Sequence, residues 1–115
     1  MPTKTFLICP IRGVSQNENE LIVKQLECDG YEVYYPDRDT NQVDDTGLRI
    51  CADNRDAIST RDVVHVIWDG KSQGVLFDLG MAFALKKKII VVSIPENING
   101  KSFQNIILEW ERVGS

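Results

Sequence analysis

Short, nearly uninterrupted apolar runs constrain the fold of this chain more than any other feature. They span residues 5–9, 63–68 and 88–94, and polar residues, glycine or proline bound each of them. A run of this length is typical of a strand buried on both faces, as in a parallel sheet. Residues 31–35 are also β-prone and stop at Pro36. The sequence therefore predicts four or five strands.

Segments with helical spacing of apolar residues separate these runs. They lie at residues 17–29, 46–60, 75–86 and 102–111, whereas the polar residues 37–46 indicate a loop. Strands that alternate with helices form parallel sheets with right-handed crossovers and helices on both faces. We expect an α/β fold with a small, doubly wound, flavodoxin-like parallel sheet. Such sheets bind ligands at the carboxyl ends of their strands.

Length and charge narrow the class of protein. A chain of 115 residues suits one domain, so we expect residues 1–115 to form a single unit. Thirteen basic and seventeen acidic residues give a net charge of −4, and no basic cluster suggests a nucleic-acid partner. No apolar run reaches the ~18 residues that span a bilayer, and the first residues lack a secretory signal. We therefore expect no membrane partner and a cytoplasmic location.

The cysteines and the histidine argue against a metal site. Cys9, Cys28 and Cys51 are widely spaced, which favours buried reduced thiols over disulfides or zinc. His65 is the only histidine and lies inside an apolar run, so we expect a hydrogen-bonded core residue. The first strand is followed by neither a dinucleotide fingerprint nor a phosphate-binding Walker loop, which excludes those two classes of nucleotide site.

The most informative segment, residues 72–80, reads Ser-Gln-Gly-Val-Leu-Phe-Asp-Leu-Gly. If a helix begins near Gly74, Ser72 and the free amides beyond it form an anion site. Asp78 lies one turn beyond Gly74 on the same face, and six residues separate it from Ser72, a rise of roughly 9 Å. This span suits a phosphate at one end and a sugar at the other. The structural alternative is an N-cap serine and an acid favoured by the helix dipole.

Arg12, which follows the first strand, offers a planar fork of donors suited to a phosphate, and Gly13 lets the backbone come close. With these residues included, the chain resembles the nucleoside 2-deoxyribosyltransferase superfamily, and most closely its branch of 2′-deoxynucleoside 5′-monophosphate N-hydrolases. The resemblance runs in order over residues 4–94. Its motifs are Ile11-Arg12-Gly13, Asp62-Val63-Val64 and Ser72-x-Gly74-Val75-x-Phe77-Asp78-Leu79-Gly80.

The resemblance implies a covalent mechanism at the sugar of a small-molecule nucleotide. Asp78 would attack C1′ of the deoxyribose, and water or another base would resolve the glycosyl-enzyme intermediate. Asp62 would assist protonation of the leaving base, and neither a metal nor a cofactor would be needed. The implied substrate-binding residues, the last of them acting across a homodimer interface, are Ile11, Arg12, Gly13, Ser72, Gly74 and Ser102.

Three positions refine what the resemblance implies. Transferases that act on unphosphorylated nucleosides carry an acid in place of Ser72, and a serine can donate to a phosphate that a carboxylate would repel. Asp78 is one methylene shorter than the usual Glu, and Leu76 replaces a usual Gly and is expected to occupy space near the sugar. These two departures motivate an alternative, a catalytically silent nucleotide-binding module or sensor. A more distant alternative is an NAD-cleaving relative of the TIR type.

Overall fold

A parallel sheet of four strands forms the centre of the chain, of which a computed structural model describes residues 2–11, 16–96 and 98–114. The strands are β1 (Thr3–Ile8), β2 (Tyr31–Tyr34), β3 (Val63–Ile67) and β4 (Lys88–Ser93), and their order in the sheet is β2-β1-β3-β4. Phe6 of β1 is level with Tyr34 of β2 and Val64 of β3. This order is that of a flavodoxin-like sheet, so the predicted fold class is confirmed.

The helices confirm the predicted alternation, with one addition. They are α1 (Gln16–Cys28), α2 (Pro36–Asp39), α3 (Leu48–Ser59), α4 (Gln73–Ala84) and α5 (Phe103–Val113). The short α2 lies where we expected only a loop. Pro36 opens it, since the fixed φ of proline suits a first helical position, and the amide of Thr40 closes it on the Pro36 carbonyl at 3.0 Å.

Helices pack on both faces of the sheet. Successive residues of a strand point to opposite faces, so β1 supplies side chains to two separate cores. The larger core lies under α3, α4 and α5 and contains Phe6, Ile8, Ile58, Val64, Val66, Trp68, Val75, Leu79, Ala82, Ile89 and Ile107. The smaller core lies under α1 and contains Leu7, Cys9, Val23, Leu26, Val33 and Tyr35. On the α1 side of the sheet, the helix covers β4 only in part, and Val92 is 40% exposed.

His65 is a core residue, as predicted. Its Nδ1 lies 2.6 Å from the hydroxyl oxygen of Thr5, and its ring meets the ring of Tyr31 edge to face. Burial lowers the pKa of His65, which keeps the imidazole neutral. The cysteine prediction is correct in part: all three thiols are free, but Cys28 is exposed at the end of α1 rather than buried.

The sheet order determines where the chain can hold a ligand. β1 and β3 are neighbours, and the connections that leave their carboxyl ends run to opposite sides of the sheet, α1 to one face and α4 to the other. A crevice opens at such a reversal.

In the described part of the chain, no helix is long and apolar enough to cross a membrane.

Candidate functional site

A cavity of about 660 Å³ lies at the carboxyl ends of β1 and β3. The chain segment after β1, the helix α3 and the start of α4 all contribute to its wall. Four residues expected at the site line it together: Ile11, Ser72, Gly74 and Asp78. Its wall also includes Cys9, Cys51, Asn54 and Asp69. The first and last parts of the 72–80 motif therefore face the same space.

The start of α4 is built as a capped helix terminus. The hydroxyl oxygen of Ser72 accepts a hydrogen bond from the amide of Val75 at 3.3 Å, which makes Ser72 the N-cap. The loop before it is held by Asp69, whose Oδ1 accepts from the amides of Lys71 at 2.8 Å and Ser72 at 2.7 Å. These bonds lower the pKa of Asp69 and keep it ionised. Hydrogen bonds within the chain itself thus hold the helix start in place.

Gly74, in the first turn of α4, leaves the backbone open to the cavity. It is exposed, and a Cβ built on it would come no closer than 3.9 Å, to the hydroxyl oxygen of Ser72. Packing within the described chain therefore does not require a glycine at this position. The absence of a side chain instead lets a ligand approach the first amides of the helix, which have no partner within the helix itself.

Asp78 is partly buried on the cavity wall, one turn further along α4. Burial raises the pKa of its carboxyl group to about 7, and a hydrogen bond with the side chain of Asn54 works in the opposite direction. A carboxyl group with this pKa is about half ionised at neutral pH. Strongly perturbed acids in a cavity are typical of catalytic sites, so Asp78 is the strongest candidate for chemistry here.

Asn54 is a site residue that the sequence analysis missed. It is buried on α3, and its Oδ1 accepts a hydrogen bond from the hydroxyl of Thr40 at 2.9 Å. The spacing Ile50-Asn54-Ile58 could have indicated it, since residues four apart share a helix face and the other two are apolar. A polar residue inside an apolar stripe has to find a partner when it is buried. Its hydrogen-bond partner here is Thr40, and its side chain also lowers the pKa of Asp78.

Two thiols flank Asp78 in the cavity. Cys9 follows β1 and Cys51 lies on α3, and both interact electrostatically with the Asp78 carboxylate. Burial, together with that carboxylate, raises the pKa of Cys9 to about 12 and raises the pKa of Cys51. Both thiols therefore stay protonated near neutral pH and are poor nucleophiles.

Asp62 is not among the described residues that line this cavity. It directly precedes β3, at the edge of the sheet opposite the carboxyl ends of the strands. There its Oδ2 accepts from the amide of Lys4 at 2.8 Å, and its own amide donates to the Lys4 carbonyl at 2.9 Å. The side chain is thus a clamp between β1 and β3. The length of a strand separates it from Asp78.

The other residues expected at or near the site are Ser102, Arg12, Gly13 and Leu76. Ser102 caps α5, where its hydroxyl oxygen accepts from the amide of Asn105 at 3.1 Å, and it lines a separate groove beside α4. Arg12 and Gly13 lie outside the residues that the structure describes. Leu76 packs against the larger core and is not among the described residues that line the cavity. The side chain that we expected near the sugar is therefore a core contact in the described part of the chain.

The described residues at this cavity offer no cluster of metal ligands. Over residues 2–11, 16–96 and 98–114, no group of three or more His, Cys, Asp or Glu side chains is arranged to hold one. What the cavity does offer is a helix terminus for an anion and one partly buried acid with a raised pKa. This pairing suits chemistry on a phosphorylated molecule.

Several solved structures share this fold. Three of them are a 2-deoxyribosyltransferase from Bacillus psychrosaccharolyticus (TM-score 0.66, 18% identity, 90% of each chain covered), the CMP N-glycosidase of Clostridium botulinum (0.61, 21%, 96% of this chain and 82% of that one), and a 2-deoxyribosyltransferase from Leishmania mexicana (0.62, 18%, 89% and 80%). No curated protein sequence matches the chain. At these identities, the similarity establishes the architecture.

The sequence itself carries the family assignment. The family described as nucleoside 2-deoxyribosyltransferase matches residues 6–105, a range that begins in β1 and ends in α5. It includes all four strands except the first residues of β1, and every residue described above on the cavity wall. Since the match covers most of the 115 residues, the chain belongs to the nucleoside 2-deoxyribosyltransferase family.

Proposed function

We propose that this protein cleaves, or transfers across, the N-glycosidic bond of a 2′-deoxynucleoside 5′-monophosphate, with Asp78 as the nucleophile. Family membership supports chemistry at an N-glycosidic bond. One observation supports the monophosphate substrate and Asp78 as the nucleophile: Ser72 and Gly74 at the start of α4 and Asp78 one turn later line the same cavity. A single helix thereby offers an anion site and a carboxylate at a fixed separation.

The 5′-phosphate is proposed to bind at the start of α4. The partial positive charge of a helix N-terminus favours an anion, and the Ser72 hydroxyl still has its own proton to donate while its oxygen accepts from Val75. The CMP N-glycosidase of C. botulinum supports a monophosphate substrate, since its name gives one. Arg12 and Gly13 stay predicted phosphate ligands.

The reaction is proposed to proceed in two steps at C1′ of the sugar. An ionised Asp78 oxygen forms a bond to C1′ while the bond from C1′ to the base nitrogen breaks and its electron pair leaves with the base. The base takes up a proton from water, because Asp62 is remote and Asp69 is held ionised by loop amides. Water, or a second base, then attacks C1′, loses a proton to the hydroxide left by the first step, and releases the Asp78 carboxylate.

The proposal includes a homodimer, as the family resemblance implies. Apolar side chains stand exposed along neighbouring parts of α4 and α5, with Phe83 62%, Ile106 52% and Val113 64% exposed. Ser102 lines the groove beside them, so a second copy on this face would bring Ser102 to an interface. Sedimentation of the wild type and of Ile106→Asp tests this: we expect a dimer and a monomer, and a monomeric wild type would contradict it. A cytoplasmic location stays a prediction.

The direct test is release of free base. Purified protein is incubated with a panel of 2′-deoxynucleoside monophosphates, the matching nucleosides and ribonucleotides, with and without an acceptor base, and the products are separated by chromatography. We expect base release from at least one deoxynucleotide and a loss of about 10³-fold or more in Asp78→Asn. Saturable nucleotide binding without release or transfer would instead support the silent binding module.

Asp62→Asn is the matched control for that experiment. It removes a negative charge as Asp78→Asn does, yet retains an oxygen that can accept from the amide of Lys4. Because Asp62 lies at the far edge of the sheet, we expect Asp62→Asn to release base at nearly the wild-type rate. A loss as large as that in Asp78→Asn would restore the role that the resemblance implied for Asp62.

A further inference from the structure

We propose that Tyr34, Thr40 and Asn54 form a one-way hydrogen-bond chain that fixes the Asn54 amide group as a donor to Asp78, which makes all three positioning residues for that carboxylate. The kinetic consequence rests on the proposed function, whereas the hydrogen-bond chain does not. The phenol oxygen of Tyr34 lies 2.6 Å from Thr40 Oγ1, and Thr40 Oγ1 lies 2.9 Å from Asn54 Oδ1. Asn54 and Asp78 line the same cavity, and the Asn54 side chain lowers the pKa of the Asp78 carboxyl group.

The direction of the chain follows from counting protons. Asn54 Oδ1 can only accept, so the single proton of the Thr40 hydroxyl is committed to it. Thr40 can then only accept from Tyr34, whose phenol proton fills the next link. With its oxygen occupied by Thr40, Asn54 turns its amide nitrogen to Asp78. An amide donor favours an ionised carboxylate over a protonated one.

Reversing the chain would leave its far end unsatisfied. A protonated Asp78 would donate to Asn54 Oδ1, the Asn54 nitrogen would donate to Thr40, and Thr40 would donate to Tyr34. The phenol proton of Tyr34 would then have to find another acceptor. The arrangement of donors and acceptors therefore matches Asp78 in its ionised form, which is the form that a nucleophile requires.

The far end of the chain is held by packing. The ring of Tyr34 stacks on Phe6, with ring centroids 5.3 Å apart and planes 13° apart, and the guanidinium of Arg61 lies 5.0 Å from the Tyr34 ring centroid. Thr40 is buried and its amide closes α2 on the Pro36 carbonyl. These contacts hold the Tyr34 ring on both faces and keep Thr40 within a buried segment.

Several titratable groups surround Asp78, and the side-chain amide of Asn54 acts on it beside them. From the end of β1 and from α3, Cys9 and Cys51 face it as neutral thiols, while Asp44 acts on Cys51 from the loop before α3. Asp69 and Lys71 line the same cavity from the loop before α4. Burial raises the pKa of Asp78, and the hydrogen bond from Asn54 lowers it.

The test is the titration of the Asp78 side-chain carbon by carbon-13 NMR, assigned by its absence in Asp78→Asn. In Thr40→Val, which has nearly the shape of threonine, we expect the pKa of Asp78 to rise by about one unit. Thr40→Ser retains the hydroxyl and should leave the pKa within a few tenths of the wild-type value. Tyr34→Phe retains the ring and should raise the pKa by less than Thr40→Val does.

Two further comparisons keep the proposal falsifiable. In an Asn54→Ala background, Thr40→Val should have no further effect, because its influence passes through the amide. If Thr40→Val does not fold, the proposal is tested by Tyr34→Phe alone. An unchanged pKa of Asp78 in every folded variant would overturn the proposal.

The NMR titration and the pH profile of kcat/KM together separate this inference from the proposed function. A raised pKa of Asp78 in Thr40→Val, in a protein that releases no base from any deoxynucleotide, would support the hydrogen-bond chain and contradict the enzyme. In an active protein, the acid limb of the pH profile for kcat/KM should move upward by the same amount as the pKa measured by NMR. A shift in the NMR titration without one in the kinetic profile would contradict the positioning role.

Discussion

Asn54 on α3 and Asp78 on α4 line the same wall of the cavity, and the Asn54 side chain lowers the pKa of the Asp78 carboxyl group. This effect opposes the burial that raises the pKa of Asp78 to about 7. In the proposed mechanism Asp78 has to be ionised to act as the nucleophile, so we expect the balance between burial and the effect of Asn54 to set the pH range of activity.

The pH dependence of activity follows from that balance. Below the pKa of Asp78, about 7, the ionised fraction falls tenfold for each pH unit, so kcat/KM should fall likewise and should level off above pH 8. Initial rates of base release between pH 5 and 9 measure this, with circular dichroism to verify folding at each pH. A flat profile across this range would show that ionisation of Asp78 does not limit the reaction.

Asp78 should destabilise the folded protein at alkaline pH. Its pKa is about 7 in the folded state against 3.8 for the free group, so between these values the folded state binds more protons and stability falls as pH rises. Asp78→Asn removes this dependence. We therefore compare the free energy of unfolding of Asp78→Asn with that of the wild type. The difference should change in favour of Asp78→Asn by about 2 to 4 kcal/mol between pH 4.5 and 8.5.

Urea unfolding at the two pH values measures that difference, and all other carboxyl groups cancel because both proteins share them. Asp56→Asn on the exposed side of α3 is the control, and its stability relative to the wild type should not change with pH in this way. Equal behaviour of Asp78→Asn and Asp56→Asn would contradict the raised pKa.

Ser72→Asp should separate phosphate binding from helix capping. Aspartate caps helices as well as serine does, so the stability of the protein should change by less than about 0.5 kcal/mol. Its charge would repel a phosphate, and KM for a deoxynucleoside monophosphate should rise at least tenfold while KM for the nucleoside stays the same. Ser72→Ala should instead lose about 1 kcal/mol of stability. An unchanged preference in Ser72→Asp would argue against a phosphate at α4.

Gly70 should be required by the turn that leads from β3 to α4. It has φ +81°, and a Cβ there would lie 2.9 Å from Cγ of Pro95. Gly100 has nearly the same φ, +82°, but a Cβ there would meet nothing within 4 Å. Both alanine variants should lose about 1 kcal/mol to backbone strain, and Gly70→Ala about 1 kcal/mol more. Equal losses in urea unfolding would show that Pro95 yields without cost.

Much of the fold could be predicted because the signals are local. The apolar runs of β1, β3 and β4 and the Ser72 cap of α4 are each contained in a few consecutive residues. The short helix α2 could not be distinguished from a turn, since Pro36 is compatible with both. The depth of burial of Cys28 depends on which face of α1 meets the sheet, and the sequence leaves that open at the end of the helix.

The site was predicted less completely because it depends on contacts between distant elements. Asn54 reaches Asp78 only when α3 packs beside α4, and no local pattern specifies that pairing. Asp62 is the opposite case. Its position directly before β3 indicates the edge of a parallel sheet away from the ligand, whereas the role that the family resemblance implies would require it at the opposite edge.

The most direct measurement of the central claim is intact-protein mass spectrometry of the enzyme quenched with acid during turnover of a deoxynucleoside monophosphate. A covalent intermediate adds the mass of deoxyribose 5-phosphate less one water, and peptide mapping locates it. We predict this adduct on the peptide that contains Asp78 in the wild type and its absence in Asp78→Asn. Base release that persists in Asp78→Asn, or an adduct on any other residue, would contradict the account.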